Sequence, residues 1–196
     1  MRWALVLLLV GAAADARVIR VPPIVSECSS APTWDDIRAC VDKHGHSTIA
    51  QSLPHARLLR ISHDGDKRTD LALFIEAKGW HLGGLSEDAG ELLDMQRITL
   101  GKHAVIRLDL GSTVHDGDRI TRFHEQLYCT GEGYRCSGVI VACDVLVGGK
   151  ALETFRGTVT WKNNQLHVAG DRTRAQDSCS QAEDVPVYFQ GTEIED

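Results

Sequence analysis

Gly138-Val-Ile-Val-Ala-Cys-Asp-Val-Leu-Val147 carries one charge, Asp144, in ten residues. A run that is apolar on both faces reads as a central strand covered on each side. The neighbouring segments read as strands as well. Ala104, Ile106, Leu108 and Leu110 alternate with Val105, Arg107 and Asp109, the period of a half-buried strand. Phe155, Val159 and Trp161 line one face of another run. Strands are expected at 57–62, 70–76, 80–83, 98–110, 119–129, 135–147, 151–161, 165–169 and 185–189.

The turns between them suit hairpins. Asp64-Gly65, Lys78-Gly79, Asp116-Gly117, Glu132-Gly133, Gly148-Gly149 and Asn163-Asn164 break the apolar pattern at short intervals. Short connections between long strands make antiparallel neighbours. One helix precedes the strands, over 33–44. Thr33 is the expected N-cap, Asp35 and Asp36 sit near the positive end of the dipole, and Gly45 suits the position after the last turn. Trp34, Ile37, Cys40, Val41 and His44 form its apolar stripe. A second short helix is expected over 86–96. The predicted class is mainly β, bordering on α+β. It is pictured as a curved antiparallel meander of about seven to nine strands with the N-terminal helix on its concave face. A closed lipocalin-like barrel is the competing architecture.

Residues 1–16 have the secretory pattern. Arg2 precedes an apolar run from Trp3 to Ala14, and Ala14-Asp15-Ala16 supplies small residues for cleavage. That run is too short for a hydrocarbon core about 30 Å thick. The expected organisation is a signal peptide at 1–16, an extended arm at 17–32 and one domain at 33–196. Export to a periplasmic or extracellular compartment explains six cysteines, an even number. Cys129 and Cys136 flank the Glu132-Gly133 turn, so a tight loop sets them opposite each other within disulfide reach. Cys28 with Cys40, and Cys143 with Cys179, complete the expected set. Fifteen arginines against six lysines and only two asparagines suggest a GC-rich, bacterial genome.

The net charge of −6 lacks the basic footprint of a nucleic-acid binder, and no transmembrane span is expected after signal cleavage. Three features bear on chemistry. His63-Asp64-Gly65-Asp66 recurs as His115-Asp116-Gly117-Asp118, 52 residues later. Alternate oxygen ligands around a glycine resemble the start of a calcium loop, while Asp-Gly is also an ordinary hairpin turn. Second, a two-residue turn at Gly148-Gly149 sets Asp144 opposite Glu153, and opposed carboxylates are raw material for general acid–base catalysis. Solvation or compensation by Arg156 is the competing reading. Third, nine histidines include His44-x-His46 but no zinc-finger or zincin spacing. Trp80-His81 between glycines offers a binding surface, or a tryptophan that caps the core.

No nucleophile elbow, phosphate loop or dinucleotide fingerprint is present, and no cofactor is implied. The sequence points to an exported, disulfide-stabilised domain that binds a small molecule or an envelope protein without catalysis. The alternatives are a secreted hydrolase using Asp144 and Glu153, and a divalent-metal binder using His63, Asp64, Asp66, His115, Asp116 and Asp118.

Overall fold

A computed structural model describes residues 23–63, 65, 69–87, 89–130, 136–173, 179 and 184–187. The signal segment, residues 17–22 of the arm, Asp64, Asp66 and the Glu132-Gly133 turn lie outside the described residues. The chain begins with two short helices, α1 (Pro23–Glu27) and α2 (Trp34–Val41), flanking a two-residue strand β1 (Ser30–Ala31). Part of the expected arm is therefore helical. Pro23 opens α1, where its missing N–H is no loss. Thr33 caps α2 as expected, accepting from the Asp36 N–H at 3.2 Å.

The strands form two antiparallel sheets, and neither closes into a barrel. The first has five strands. Its hairpins are β2 (His46–Leu53), β3 (Ala56–Ser62), β4 (Thr69–Glu76) and β5 (Trp80–Ser86), with β1 on the outer edge of β5. The second has seven, in chain order from β6 (Glu91–Leu100) through β7 (His103–Asp116), β8 (Arg119–Cys129), β9 (Ser137–Val147), β10 (Lys150–Lys162) and β11 (Gln165–Arg172) to β12 (Asp184–Pro186). The single meander expected from the sequence is thus divided between β5 and β6.

Three hydrophobic clusters explain the layering. On one face of the five-stranded sheet, Leu59, Ile61, Ala72 and Phe74 pack with Ile37 and Val41 of α2. On its other face, Leu58, Leu71, Leu73 and Ile75 pack with Met95, Ile106, Leu108, Leu110 and Leu127 of the seven-stranded sheet. A third cluster joins Val139, Val141, Cys143 and Val145 to Phe155, Leu166, Val168 and Cys179. The strand covered on both faces is therefore β4, which is buried from Asp70 to Ile75. β9 holds the middle of its sheet, but only its odd-numbered residues are buried. Its even-numbered residues are half-buried.

Two expectations fail locally. The 86–96 stretch is strand β6 from Glu91, not a helix. A bulge between Leu92 and Asp94 upsets its alternation and turns Leu93 outward, 53% exposed. The expected strand 98–110 is two strands, broken at Gly101, where φ is +64° and glycine has no Cβ penalty.

All six cysteines pair, as Cys28–Cys40, Cys129–Cys136 and Cys143–Cys179, the three pairs expected from the sequence. Each bridge lies in a different hydrophobic cluster. The Cys129–Cys136 bridge ties the end of β8 to the start of β9 and packs against the five-stranded sheet. It presses on Gly84 of β5 so closely that a Cβ there would lie 2.4 Å from the Cys136 sulfur.

Candidate functional site

Long antiparallel strands put alternate residues on one face, so polar residues at i and i+2 on adjacent strands assemble into a patch. The polar side of β7 does this. Asp94, Asp109 and Gln126 stand abreast on β6, β7 and β8, and Gln96, Arg107 and Tyr128 form the next row. Asp109 is buried and anchors the group. Its Oδ2 accepts from Arg107 Nε at 2.8 Å. Its Oδ1 accepts from Gln126 Nε2 at 2.8 Å and lies 3.1 Å from His124 Nε2. Such bonds compensate the desolvation that an isolated buried carboxylate would suffer.

The outer members extend the network. Tyr128 donates its hydroxyl to Gln126 Oε1 at 2.7 Å, and Arg107 donates to Gln96 Oε1 at 3.2 Å. Gln96 in turn donates to Asp94 Oδ2 at 2.6 Å. Burial pushes the Tyr128 phenol up to about 12, with nearby Asp109 adding to the shift and Arg107 opposing it. Tyr128 is thus a neutral donor across the ordinary pH range.

A groove of about 600 Å³ adjoins this network. It is lined by Ala89, Gly90 and Glu91 at the entry to β6, by Gly111 to Val114 of β7, and by Arg122 and Phe123 of β8. Gly111 stands opposite His124, linking groove to network. Gly90 is required here, since a Cβ would lie 2.0 Å from the Gly111 carbonyl oxygen. The groove combines backbone, one acid, one base and apolar side chains, a mixture suited to orienting a ligand.

The expected carboxylate pair is not opposed. A bulge between Ala151 and Glu153 shifts the register, so Asp144 faces Thr154 and Glu153 faces Val145. Asp144 forms an ion pair with Arg156 at 2.8 Å, and its hydrogen bond raises the guanidinium further. Glu153 is fully buried in the β9–β10 core.

The two His-Asp-Gly-Asp turns belong to different sheets. His63 follows β3, with Nε2 2.8 Å from Asp70 Oδ2 and Nδ1 3.2 Å from the His44 carbonyl oxygen. His115, Asp116 and Asp118 are exposed around the β7–β8 turn. Neither turn contributes to a close group of three metal-capable side chains among the described residues. Trp80 is buried and tilts against Trp34 with ring centroids 4.9 Å apart, and the Arg57 guanidinium lies over both rings. That aromatic pair is already occupied by a cation of the chain itself.

The Asp109 network was only half visible in the sequence. The alternation in 104–110 marks Arg107 and Asp109 as polar-face residues, but their neighbours depend on three strand registers. No described helix is long and apolar enough to cross a membrane. Comparison with protein-family models, with curated proteins and with solved structures finds no match to this chain.

Proposed function

We propose that the chain is exported and acts as a disulfide-braced binding domain, taking a small molecule or an envelope component in the Gly90–Gly111 groove without transforming it. The observation that carries the export half is the placement of three disulfides, one in each hydrophobic cluster. Bridges persist in oxidising compartments and are rare where thiols are kept reduced. The apolar run at Trp3–Ala14 supplies the route. The binding half is supported by the groove and by the rigid network beside it, which fixes the backbone on which a ligand would rest.

Expression with the native first residues, followed by fractionation and mass determination, tests export. The expected product lies outside the cytoplasm, begins at Arg17 or Asp15 and has no free thiol when denatured without reductant. Six free thiols on an uncleaved cytoplasmic chain would refute it. The absence of catalysis is tested with chromogenic ester, phosphoester and glycoside substrates. Turnover that disappears in Asp144→Asn or Glu153→Gln would establish the hydrolase reading instead. Calorimetry of the oxidised protein with calcium and zinc checks the metal reading, which requires heat of binding that Asp116→Ala reduces.

A further inference from the structure

Cys28, Cys40 and His44 bring their ligand atoms within 4.8 Å of one another. The chain makes this meeting place by local means. Cys28 follows α1, Cys40 lies in the last turn of α2, and His44 lies one turn beyond, its N–H bonded to the Val41 carbonyl at 2.9 Å. His44 Nε2 is buried and has no hydrogen-bond partner among the described residues. Glu27 Oε2 lies 3.1 Å from it, an ion-pair contact without hydrogen-bond geometry. A cavity of about 650 Å³ lined by Asp42 to His46 opens beside the histidine.

We propose that reduction of the Cys28–Cys40 bridge converts this corner into a zinc site with two thiolates, His44 and Glu27 as ligands. The disulfide blocks the site in the oxidised protein, because both sulfurs are bonded to each other. A dithiol reductant opens it. One reductant thiolate attacks a bridge sulfur and expels the other cysteine as a thiolate. The second reductant thiolate then attacks the reductant sulfur of the mixed disulfide and expels the remaining cysteine, so the products are two protein thiols and a reductant disulfide. Cys40 is partly exposed and gives the attacking thiolate access. Zinc then binds as the two thiols lose their protons to solvent.

The dimensions fit. Zinc–sulfur bonds of about 2.3 Å in a tetrahedron place two sulfurs roughly 3.8 Å apart. The liberated sulfurs need only relax apart to reach that distance. Nitrogen and oxygen ligands at about 2.0–2.1 Å sit roughly 3.3 Å from each other, close to the observed Glu27–His44 spacing. Cys40 and His44 are four residues apart across the turn that ends α2, so two ligands come from one short stretch of chain.

Cobalt(II) in place of zinc tests this with the full-length protein after dithiol treatment and removal of the reductant. The expected signals are thiolate-to-cobalt absorption in the near ultraviolet and tetrahedral bands in the visible. Both should be absent from the oxidised protein and from Cys40→Ser. His44→Gln should weaken cobalt binding roughly tenfold or more. The Cys129→Ser/Cys136→Ser double variant should bind like wild type. Zinc should also slow alkylation of Cys28 and Cys40 specifically, as read by peptide mapping. Reduced protein without these bands, or bands indifferent to His44→Gln, would overturn the proposal. Either result leaves the exported, disulfide-braced reading intact.

Discussion

Glu153 stands directly opposite Val145 in the β9–β10 ladder, and both side chains are fully buried. The bulge after Ala151 moves the glutamate from the exposed side of β10 into the core. Neither carboxylate oxygen has a hydrogen-bond partner among the described residues. An unsatisfied buried polar group costs about 1–3 kcal/mol. Glu153→Met keeps the volume and removes that burden, so it should stabilise the fold by about 1–3 kcal/mol in urea titration. Glu153→Gln keeps a polar group in the same place and should gain much less. A methionine variant less stable than wild type would mean that the carboxyl is paired.

Two groups on β8, Glu125 and Tyr128, which face opposite sides of the seven-stranded sheet, make stability fall with rising pH in two windows. Burial raises the Glu125 carboxyl above its ordinary value of 4.5, so the folded chain holds that proton longer than the unfolded chain. The associated stability is complete below the ordinary value and is lost as pH rises through the folded one. The advantage of Glu125→Gln over wild type should therefore grow from pH 4 to neutrality. Tyr128 repeats the argument between 10 and about 12. Tyr128→Phe should cost about 1 kcal/mol at neutral pH, from the lost Gln126 bond, and remove the alkaline decline. Equal slopes for wild type and variant in either window would refute that assignment.

How far the sequence revealed the fold depends on where each strand buries its side chains. β8 was legible to the residue at 119–129, because the turn signals Asp116-Gly117 and Glu132-Gly133 bracket it in the sequence. β2 was not anticipated. His46-Ser-Thr-Ile-Ala-Gln-Ser-Leu53 is an edge strand whose one fully buried residue is Ser47, held by the Asp42 carboxylate. That hydrogen bond, followed by the burial it allows, leaves no period-two apolar signal. The division into two sheets was invisible for a similar reason. β5 pairs with β4 on one edge and with β1 on the other, while β6 pairs with β7, and the β1–β5 pairing joins residues distant in sequence. The candidate pair Asp144 and Glu153 failed through one inserted residue, since strand facing inverts with each unit of register.

Gly84 is the most constrained point between the sheets. A Cβ there would lie 2.4 Å and 3.0 Å from the two sulfurs of the Cys136–Cys129 bridge. A disulfide cannot rotate away as a long side chain can. Gly84→Ala should therefore destabilise by about 1–3 kcal/mol, the usual range for overpacking. Combining it with Cys129→Ala and Cys136→Ala removes the obstacle, so the penalty of the glycine change should largely vanish in that background. An unchanged penalty would place the strain in the β5 backbone instead.

The three bridges should differ in value according to the chain each one closes. Their sequence separations are 7 for Cys129–Cys136, 12 for Cys28–Cys40 and 36 for Cys143–Cys179. Restricting the unfolded chain by loops of these lengths corresponds to about 2.4, 2.8 and 3.8 kcal/mol respectively at 25 °C. Packing acts on top of this ranking. Cys143 and Cys179 are both fully buried among Val145 and Phe155, whereas Cys40 and Cys136 are partly exposed. Replacing the 143–179 pair with alanine should thus produce the largest drop in urea midpoint, and replacing 129–136 a smaller one. If the short hairpin bridge proves the costliest to remove, its role in pressing the seven-stranded sheet onto Gly84 outweighs loop entropy.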